Sequence, residues 1–172
     1  QFNLPMSLEG KLNVDGGGEV DPSFGEQPQM QMDVNAVRLN ITSANIPTPI
    51  GPLNLPDTKL QQLIFKGQMN NGELNLEKVQ IGTQQDELFA QIRGTMEMKF
   101  QSFGTQVTMV PGNFDLTVQI KTKPSYQQKA ALFLGFLDAY KKNESAQGTE
   151  YLFKVSGNNF YAPPRMSPAN TF

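Results

Sequence analysis

Residues 88–100 read LFAQIRGTMEMKF, and every second residue from Leu88 to Phe100 is apolar or glycine. From Gln91 to Lys99 the residues between them are polar. This two-residue period predicts a β-strand with one dry face. At ~3.3 Å per residue the strand is expected to be roughly 43 Å long, whereas an ordinary strand has about 5–6 residues. A strand of that length needs a large, curved sheet around it.

The same alternation recurs along most of the chain. It predicts further strands over residues 2–14, 30–41, 63–69, 74–81, 107–110, 114–120 and 151–157. Asp15-Gly16-Gly17-Gly18 is expected to end the first strand as a turn, and Asn70-Asn71-Gly72 predicts a hairpin because Asn and Gly tolerate positive φ. Near Ala36, and again after Leu76, the period slips by one residue; a bulge near Ala36 is the simplest explanation.

Three segments depart from this pattern. Residues 46–57 hold four prolines, which cannot donate to a sheet ladder, so an extended crossover or edge loop is expected there. Residues 125–142 have a helical period, with Ser125 and Gln128 as a capping box. The apolar stripe of this helix consists of Tyr126, Ala130, Phe133, Leu137 and Tyr140. The tail, residues 162–172, is rich in proline, which argues against a strand.

Together these patterns predict a single β domain over residues 1–172. We expect an all-β, mainly antiparallel fold, with the sheet curled into an incomplete barrel or trough and one α-helix from the C-terminal half packed on it. One helix covers only part of a sheet with strands this long. The uncovered dry face would then have to meet lipid, a partner or another copy of the chain. The candidate site is an apolar trough formed by Leu88, Ile92, Met96, Met98, Phe100, Phe133 and Leu137.

The methionines of the strands allow two interpretations. They either fill the core or form an adaptable surface for variable apolar partners. The rule that apolar alternation indicates burial favours the core.

Composition excludes several classes of function. The chain has no histidine, cysteine or tryptophan, so the usual general base, the thiolate nucleophile and the common zinc, copper and haem ligands are missing. We therefore expect no enzymatic activity, no metal and no cofactor. The net charge is −2 and the sequence has three arginines. Nucleic acid is not an expected partner, because clustered basic residues are missing.

Two groups of acidic residues are candidate sites. Asp15, Glu19 and Asp21 surround a glycine loop and could offer oxygen ligands to calcium, but their spacing is not that of an EF-hand, and a solvated turn is favoured. Asp86 and Glu87 could form a carboxylate pair, but adjacent residues of a strand point to opposite faces.

The cellular compartment is not decided by cysteine usage. A chain without cysteine fits a reducing cytosol or a bacterial envelope protein without disulfides. Because no run of 18 or more apolar residues occurs, any signal or membrane anchor is expected to have been removed or never to have existed.

A set of short motifs resembles a known family. The motifs are Lys66-Gly67, Asn71-Gly72-Glu73-Leu74, Ile81-Gly82, Gln85-Asp86-Glu87-Leu88 and Arg93-Gly94, followed by a late helix and by a closing Val155-Ser156-Gly157 strand with Pro163, Pro164 and Pro168. From about residue 55 to 168 the chain resembles the C-terminal part of the type II secretion system protein N family of Gram-negative envelopes. More distantly it resembles AsmA-like proteins, whose sheets curl into an open apolar trough.

The resemblance implies a location and a role. It implies a non-enzymatic periplasmic domain that acts in assembly of the secretion apparatus through contacts with other secretion or envelope proteins. Family members resemble single-span inner-membrane proteins, so the full-length protein is expected to be anchored there by an N-terminal segment that this chain lacks. The AsmA-like resemblance implies an alternative, a module that binds or transfers lipid in its trough.

Overall fold

The computed structural model describes residues 8–42, 44–48, 51–103, 106–159 and 162–172. The strands in these ranges are β1 (Leu8–Glu19), β2 (Gln29–Ile41), β3 (Ala44–Thr48), β4 (Gly51–Leu55), β5 (Thr58–Asn70), β6 (Glu73–Ile81), β7 (Leu88–Phe103), β8 (Gln106–Thr122), β9 (Lys141–Ser145), β10 (Gly148–Gly157) and β11 (Arg165–Pro168). Between β8 and β9 lie two short helices, α1 (Pro124–Lys129) and α2 (Ala131–Gly135), and a 3₁₀ turn (Asp138–Tyr140).

The strands form one large antiparallel sheet. Its order is β1-β2-β5-β6-β7-β8-β10-β11, with β9 also paired to β10, while β3 and β4 form a separate two-stranded sheet. Within the described residues the large sheet does not close on itself. The predicted fold class, an all-β chain with an open, curled antiparallel sheet, is therefore confirmed.

Strand register explains how the sheet gains an apolar face. Residues directly opposite each other in antiparallel strands point to the same side of the sheet. One row across seven strands is Leu12, Ala36, Leu63, Ile81, Ala90, Ile120 and Tyr151. The next row is Val14, Val34, Phe65, Val79, Ile92, Val118 and Phe153. We call the side that bears these rows the apolar face.

A hairpin turn and two register shifts keep the rows aligned. Asn71 and Gly72 have φ values of 50° and 77°, so the predicted hairpin between β5 and β6 is confirmed. The slip after Leu76 coincides with a register shift of β6 against both of its neighbours. The predicted bulge near Ala36 lies slightly further along, at Arg38, whose φ is 56°, opposite a register shift between β1 and β2.

The first strand differs from the prediction at its end. β1 continues through the glycines to Glu19, because the backbone N–H and C=O groups of an extended glycine can still pair with β2, and a Cβ on Gly18 would lie 2.3 Å from a β2 carbonyl oxygen. The chain turns instead after Asp21, whose carboxylate accepts backbone hydrogen bonds from Ser23, Gly25 and Glu26. The predicted start of this strand, residues 2–7, lies outside the described residues.

Both proline-rich segments contain more pairing than predicted. Residues 46–57 are predicted to form an extended crossover or an edge loop, but β3 and β4 pair as a hairpin, with Pro47 opposite Pro52. The two residues without an amide donor therefore share one position. Residues 49 and 50 lie outside the described residues. The tail contains a strand after all, because β11 pairs with β10 and holds its proline, Pro168, at its last position.

The predicted single helix over 125–142 is wrong in its bounds and continuity. It begins at Pro124, which suits the first position of a helix, and its N-cap residue Lys123 makes no side-chain cap. It breaks at Ala130, and the segment from Lys141 pairs with β10 as β9. The two helices and the 3₁₀ turn, residues 124–140, are called the helical cap.

The helical cap lies on the apolar face. Tyr126, Ala130, Leu134 and Leu137 are buried together with Ala90, Ile120, Tyr151 and Phe153 of the sheet. Gln127 fixes the cap in place, because its Nε2 donates to the Oγ1 atoms of Thr149 at 2.6 Å and Thr122 at 3.3 Å. Both threonines are buried.

We predict that Leu134→Ala lowers the free energy of unfolding by about 2–5 kcal/mol, because it leaves a cavity under the helical cap. Leu132→Ala is the matched control on the same helix and should change it by less than about 0.5 kcal/mol. Leu134 is 3% exposed and Leu132 is 68% exposed. Urea melts of both variants test this prediction. Equal losses of unfolding free energy in the two variants would contradict the packing described.

We also predict that Gly94→Ala is strongly destabilising. Gly94 has a φ of 140°, and a Cβ there would lie 2.1 Å from the carbonyl oxygen of Asp115. Backbone strain of this kind costs about 1–3 kcal/mol before the clash is added. Gly17→Ala is the control, because in the part of the chain that the structure describes no atom outside the adjacent residues lies within 4 Å of a Cβ at that position. In thermal unfolding, Gly94→Ala should lower the melting temperature much more than Gly17→Ala does. An unchanged melting temperature for Gly94→Ala would contradict this backbone geometry.

Candidate functional site

The apolar face is covered at one edge of the sheet and open at the other. The helical cap packs over β7, β8 and β10. On β1 and β2, three large apolar side chains of the same face are exposed: Leu12 by 64%, Val14 by 61% and Met32 by 43%. We call these three residues the edge patch. An exposed apolar cluster at the end of a buried row is a typical contact surface.

The edge patch lies beside an open strand edge. β1 pairs with β2 on one side, and no strand in the described part of the chain lies on its other side. The backbone N–H and C=O groups along that side can bond to a further strand. The site thus offers main-chain hydrogen bonds and an apolar contact to the same partner.

Charges mark the opposite face of the same edge. Asp15 of β1 lies directly opposite Asp33 of β2, and like charges in this position disfavour the pairing. Asp33 is held by Lys66 of β5, with 2.5 Å between the carboxylate and Nζ. The hydrogen bond to Asp33 raises the pKa of Lys66. A cation that binds at the open edge would lie beside Asp15, on the side away from Asp33, and would offset the repulsion between the two carboxylates.

One end of the face is closed by the turn between β1 and β2. β7 and β8 are longer than their other neighbours, β6 and β10, so their far ends pair only with each other. We call this two-stranded extension, residues 98–103 and 106–111, the ribbon. Phe24 packs against Phe100 of the ribbon with ring centroids 6.0 Å apart. The Gln27 side chain donates to the Phe100 carbonyl at 2.9 Å and accepts from the Phe100 N–H at 2.8 Å. Gln27 therefore takes the place of a neighbouring strand.

The predicted trough residues are divided between two places. Leu137 belongs to the helical cap and lies in the core that the cap forms with the sheet, and Leu88 and Phe133 pack against this core. Of the remaining four, Ile92 and Met96 follow along β7 and Met98 and Phe100 lie in the ribbon; all four are half-buried. The cap fills the space over Leu88. That these residues accept a ligand stays a prediction.

A polar cavity lies away from the trough residues. It has a volume of about 300 Å³ and is lined by residues that include Lys121, Asn143 and Glu150. None of the predicted trough residues contributes to it.

Three of the acidic residues singled out in the sequence, Asp21, Asp86 and Glu87, have structural partners. Asp86 and Glu87 lie in the loop before β7 and not in a strand. The Asp86 carboxylate accepts the backbone N–H groups of Gln61 and Thr83. Glu87 binds Lys129 of the helical cap at 2.8 Å, and hydrogen bonds from Lys129 and Ser125 lower its pKa. Asp21 holds its own turn, and Asp15 lies within β1, so these two do not form a loop site.

Comparisons with protein-family models, with curated proteins and with solved structures found no match for this chain. Among the described residues, no helix has both the length and the apolar character needed to cross a membrane. The site is therefore defined by its geometry.

Sequence reasoning missed the edge patch. Leu12 and Val14 were visible as alternating apolar residues of the first strand. Periodicity alone did not show that the helical cap lies at the far edge. The signal that could have indicated an edge is the run of glycines in the second half of β1, since glycine is disfavoured in central strands.

We predict that the Asp21 turn weakens in acid. Hydrogen bonds from Ser23, first of all from its side chain, lower the pKa of Asp21 to about 2. A carboxyl whose pKa is lowered by folding stabilises the fold above its unfolded pKa, and this contribution is lost as pH falls from about 4 to about 2. A carboxyl ¹³C NMR titration should find a midpoint near 2.

Asp21→Asn supplies the control for that titration. The variant removes the charged acceptor, so it should be less stable than the natural chain at pH 7, and the difference should narrow towards pH 2. A difference that is independent of pH would show that the turn does not depend on the ionised carboxylate.

Proposed function

We propose that this chain is a non-enzymatic periplasmic domain of an envelope or type II secretion apparatus that acts in assembly through protein–protein contacts. The observation that carries the proposal is the coincidence of the edge patch with the open edge of β1. The resemblance described above supplies the biological setting. The domain would belong to a full-length protein anchored in the inner membrane.

The chemistry of the edge favours a protein over a lipid as its partner. The open side of β1 presents backbone donors and acceptors that a polypeptide strand can satisfy and an acyl chain cannot. Asp15 lies on the same edge, so the partner must also accommodate the Asp15 carboxylate beside the apolar contact. A partner that adds a strand meets both requirements, whereas an acyl chain meets only the apolar one.

Site-specific photo-crosslinking in the bacterium that produces the protein tests the proposal. A photoreactive residue at position 12, in the edge patch, is expected to yield discrete protein adducts. The control places the probe at Lys78, which is exposed on the other face of β6 and should give no such adduct.

The outcomes separate the two classes of function. Adducts of known mass that contain another envelope or secretion protein support the assembly role. Phospholipid bound by the purified chain and attached to the probe at position 12, without protein adducts, would favour the lipid-binding alternative and overturn the proposal. Equal labelling from positions 12 and 78 would also overturn it.

A further inference from the structure

We propose that two copies of this domain pair antiparallel through their β1 strands, with Asn13 of each copy on the two-fold axis. The inference rests on the proposed function, because it names a partner for the same open edge. It commits to a second copy of this chain on the ground of charge and side-chain complementarity within β1 itself, which reads LEGKLNVDGGGE over residues 8–19.

Symmetry limits the possible registers. In an antiparallel pair of identical strands, a two-fold axis perpendicular to the sheet passes between two directly opposite residues, so one residue faces its own copy. The central residues of β1 that can take this position are Leu12, Asn13, Val14 and Asp15.

Charge disfavours three of these four registers. An axis at Leu12 places Glu9 opposite Asp15 of the second copy, and an axis at Val14 places Glu9 opposite Glu19. An axis at Asp15 places that carboxylate opposite itself. Like charges directly opposite each other destabilise a strand pair.

The axis at Asn13 gives the complementary arrangement. Lys11 then lies opposite Asp15 of the second copy, twice by symmetry. Across β1, β2 and β5 the charged row becomes Lys11 of the second copy, Asp15, Asp33 and Lys66, which places the two adjacent carboxylates between two cations. The pairing thus relieves the repulsion between Asp15 and Asp33.

The apolar face is continued by the same register. Leu12 lies opposite Val14 of the second copy, so the two most exposed side chains of the edge patch cover each other. Gly10 and Gly16 lie opposite one another, and Gly17 lies opposite Glu9, so no bulky pair obstructs the ends. The apolar rows of the two copies join into one surface.

Disulfide cross-linking tests this register directly, because the chain has no cysteine of its own. Asn13→Cys is expected to form a disulfide-linked dimer under mild oxidation. Lys11→Cys is the matched control. In this register the two copies of residue 11 are offset by four residues, roughly 13 Å along the strand, which is too far for a disulfide. A mixture of Lys11→Cys and Asp15→Cys should yield the cross-linked heterodimer that neither variant forms alone.

A charge swap gives an independent measurement. In sedimentation equilibrium the natural chain is expected to dimerise reversibly, and Asp15→Lys should raise the dissociation constant about tenfold or more, because two attractive pairs become repulsive. The double variant with Lys11→Asp and Asp15→Lys should restore most of the affinity. Circular dichroism confirms that each variant is folded.

The outcomes distinguish this inference from the proposed function. A natural chain that stays monomeric, or Lys11→Cys that cross-links as well as Asn13→Cys, overturns the dimer. If position 12 then still captures another envelope protein, the assembly role stands without the dimer. A dimer with the predicted register supports the inference even where position 12 captures no other protein.

Discussion

The antiparallel register that aligns the apolar rows is the constraint on which the rest of the structure depends. Leu12 and Tyr151 belong to one row although five strands lie between theirs. A slip of one residue in any strand would turn its apolar residues to the wet face. The sheet has register shifts between β1 and β2, in β6 and between β7 and β8. They do not disrupt the apolar face, because each one coincides with a change in the apolar period of the sequence or with a bulge that returns the apolar residues to the same side.

The helical cap turns this uniform face into two different regions. Over β7, β8 and β10 it excludes water and forms the core with Ile120 and Tyr151. At β1 and β2 the same face remains open, and Leu12 and Val14 are exposed. A sheet that spans so many strands cannot be covered by a cap of two short helices. The contact surface is thus a geometric consequence of the size of the sheet.

Edge strands with apolar side chains invite unspecific pairing, and charged residues and glycines are common means of limiting it. β1 carries Lys11, Asp15 and three consecutive glycines. In this chain the charges select among registers as well as opposing aggregation, since one register alone pairs Lys11 with Asp15 without setting like charges opposite each other. Specificity of association thus comes from the polar side of the strand, and the apolar side supplies contact area.

Much of the fold followed from local signals. The alternation around Ile92 predicts a strand whatever its neighbours are, because side chains of a strand alternate by geometry. The Asn71–Gly72 turn was evident from its tolerance of positive φ. Tyr126, Ala130 and Leu137 were placed on the buried stripe by helical spacing alone.

Other features depended on contacts between distant segments. Ser125 does not cap its helix, because the helix begins at Pro124; its side chain instead donates a hydrogen bond to Glu87, far away in the sequence. Lys141–Ser145 forms a strand because it pairs with β10. β1 extends through its glycines because β2 pairs with it along that stretch.

The sequence by itself determined the seven strands that bear the apolar rows, their apolar side and the class of fold, since these depend on periodicity within a few residues. Tertiary structure alone decided which part of the apolar face the helical cap covers and that β1 is left at the edge. The physical reason is that burial of Leu12 or Ile120 depends on what lies above it in space, and no local period encodes that.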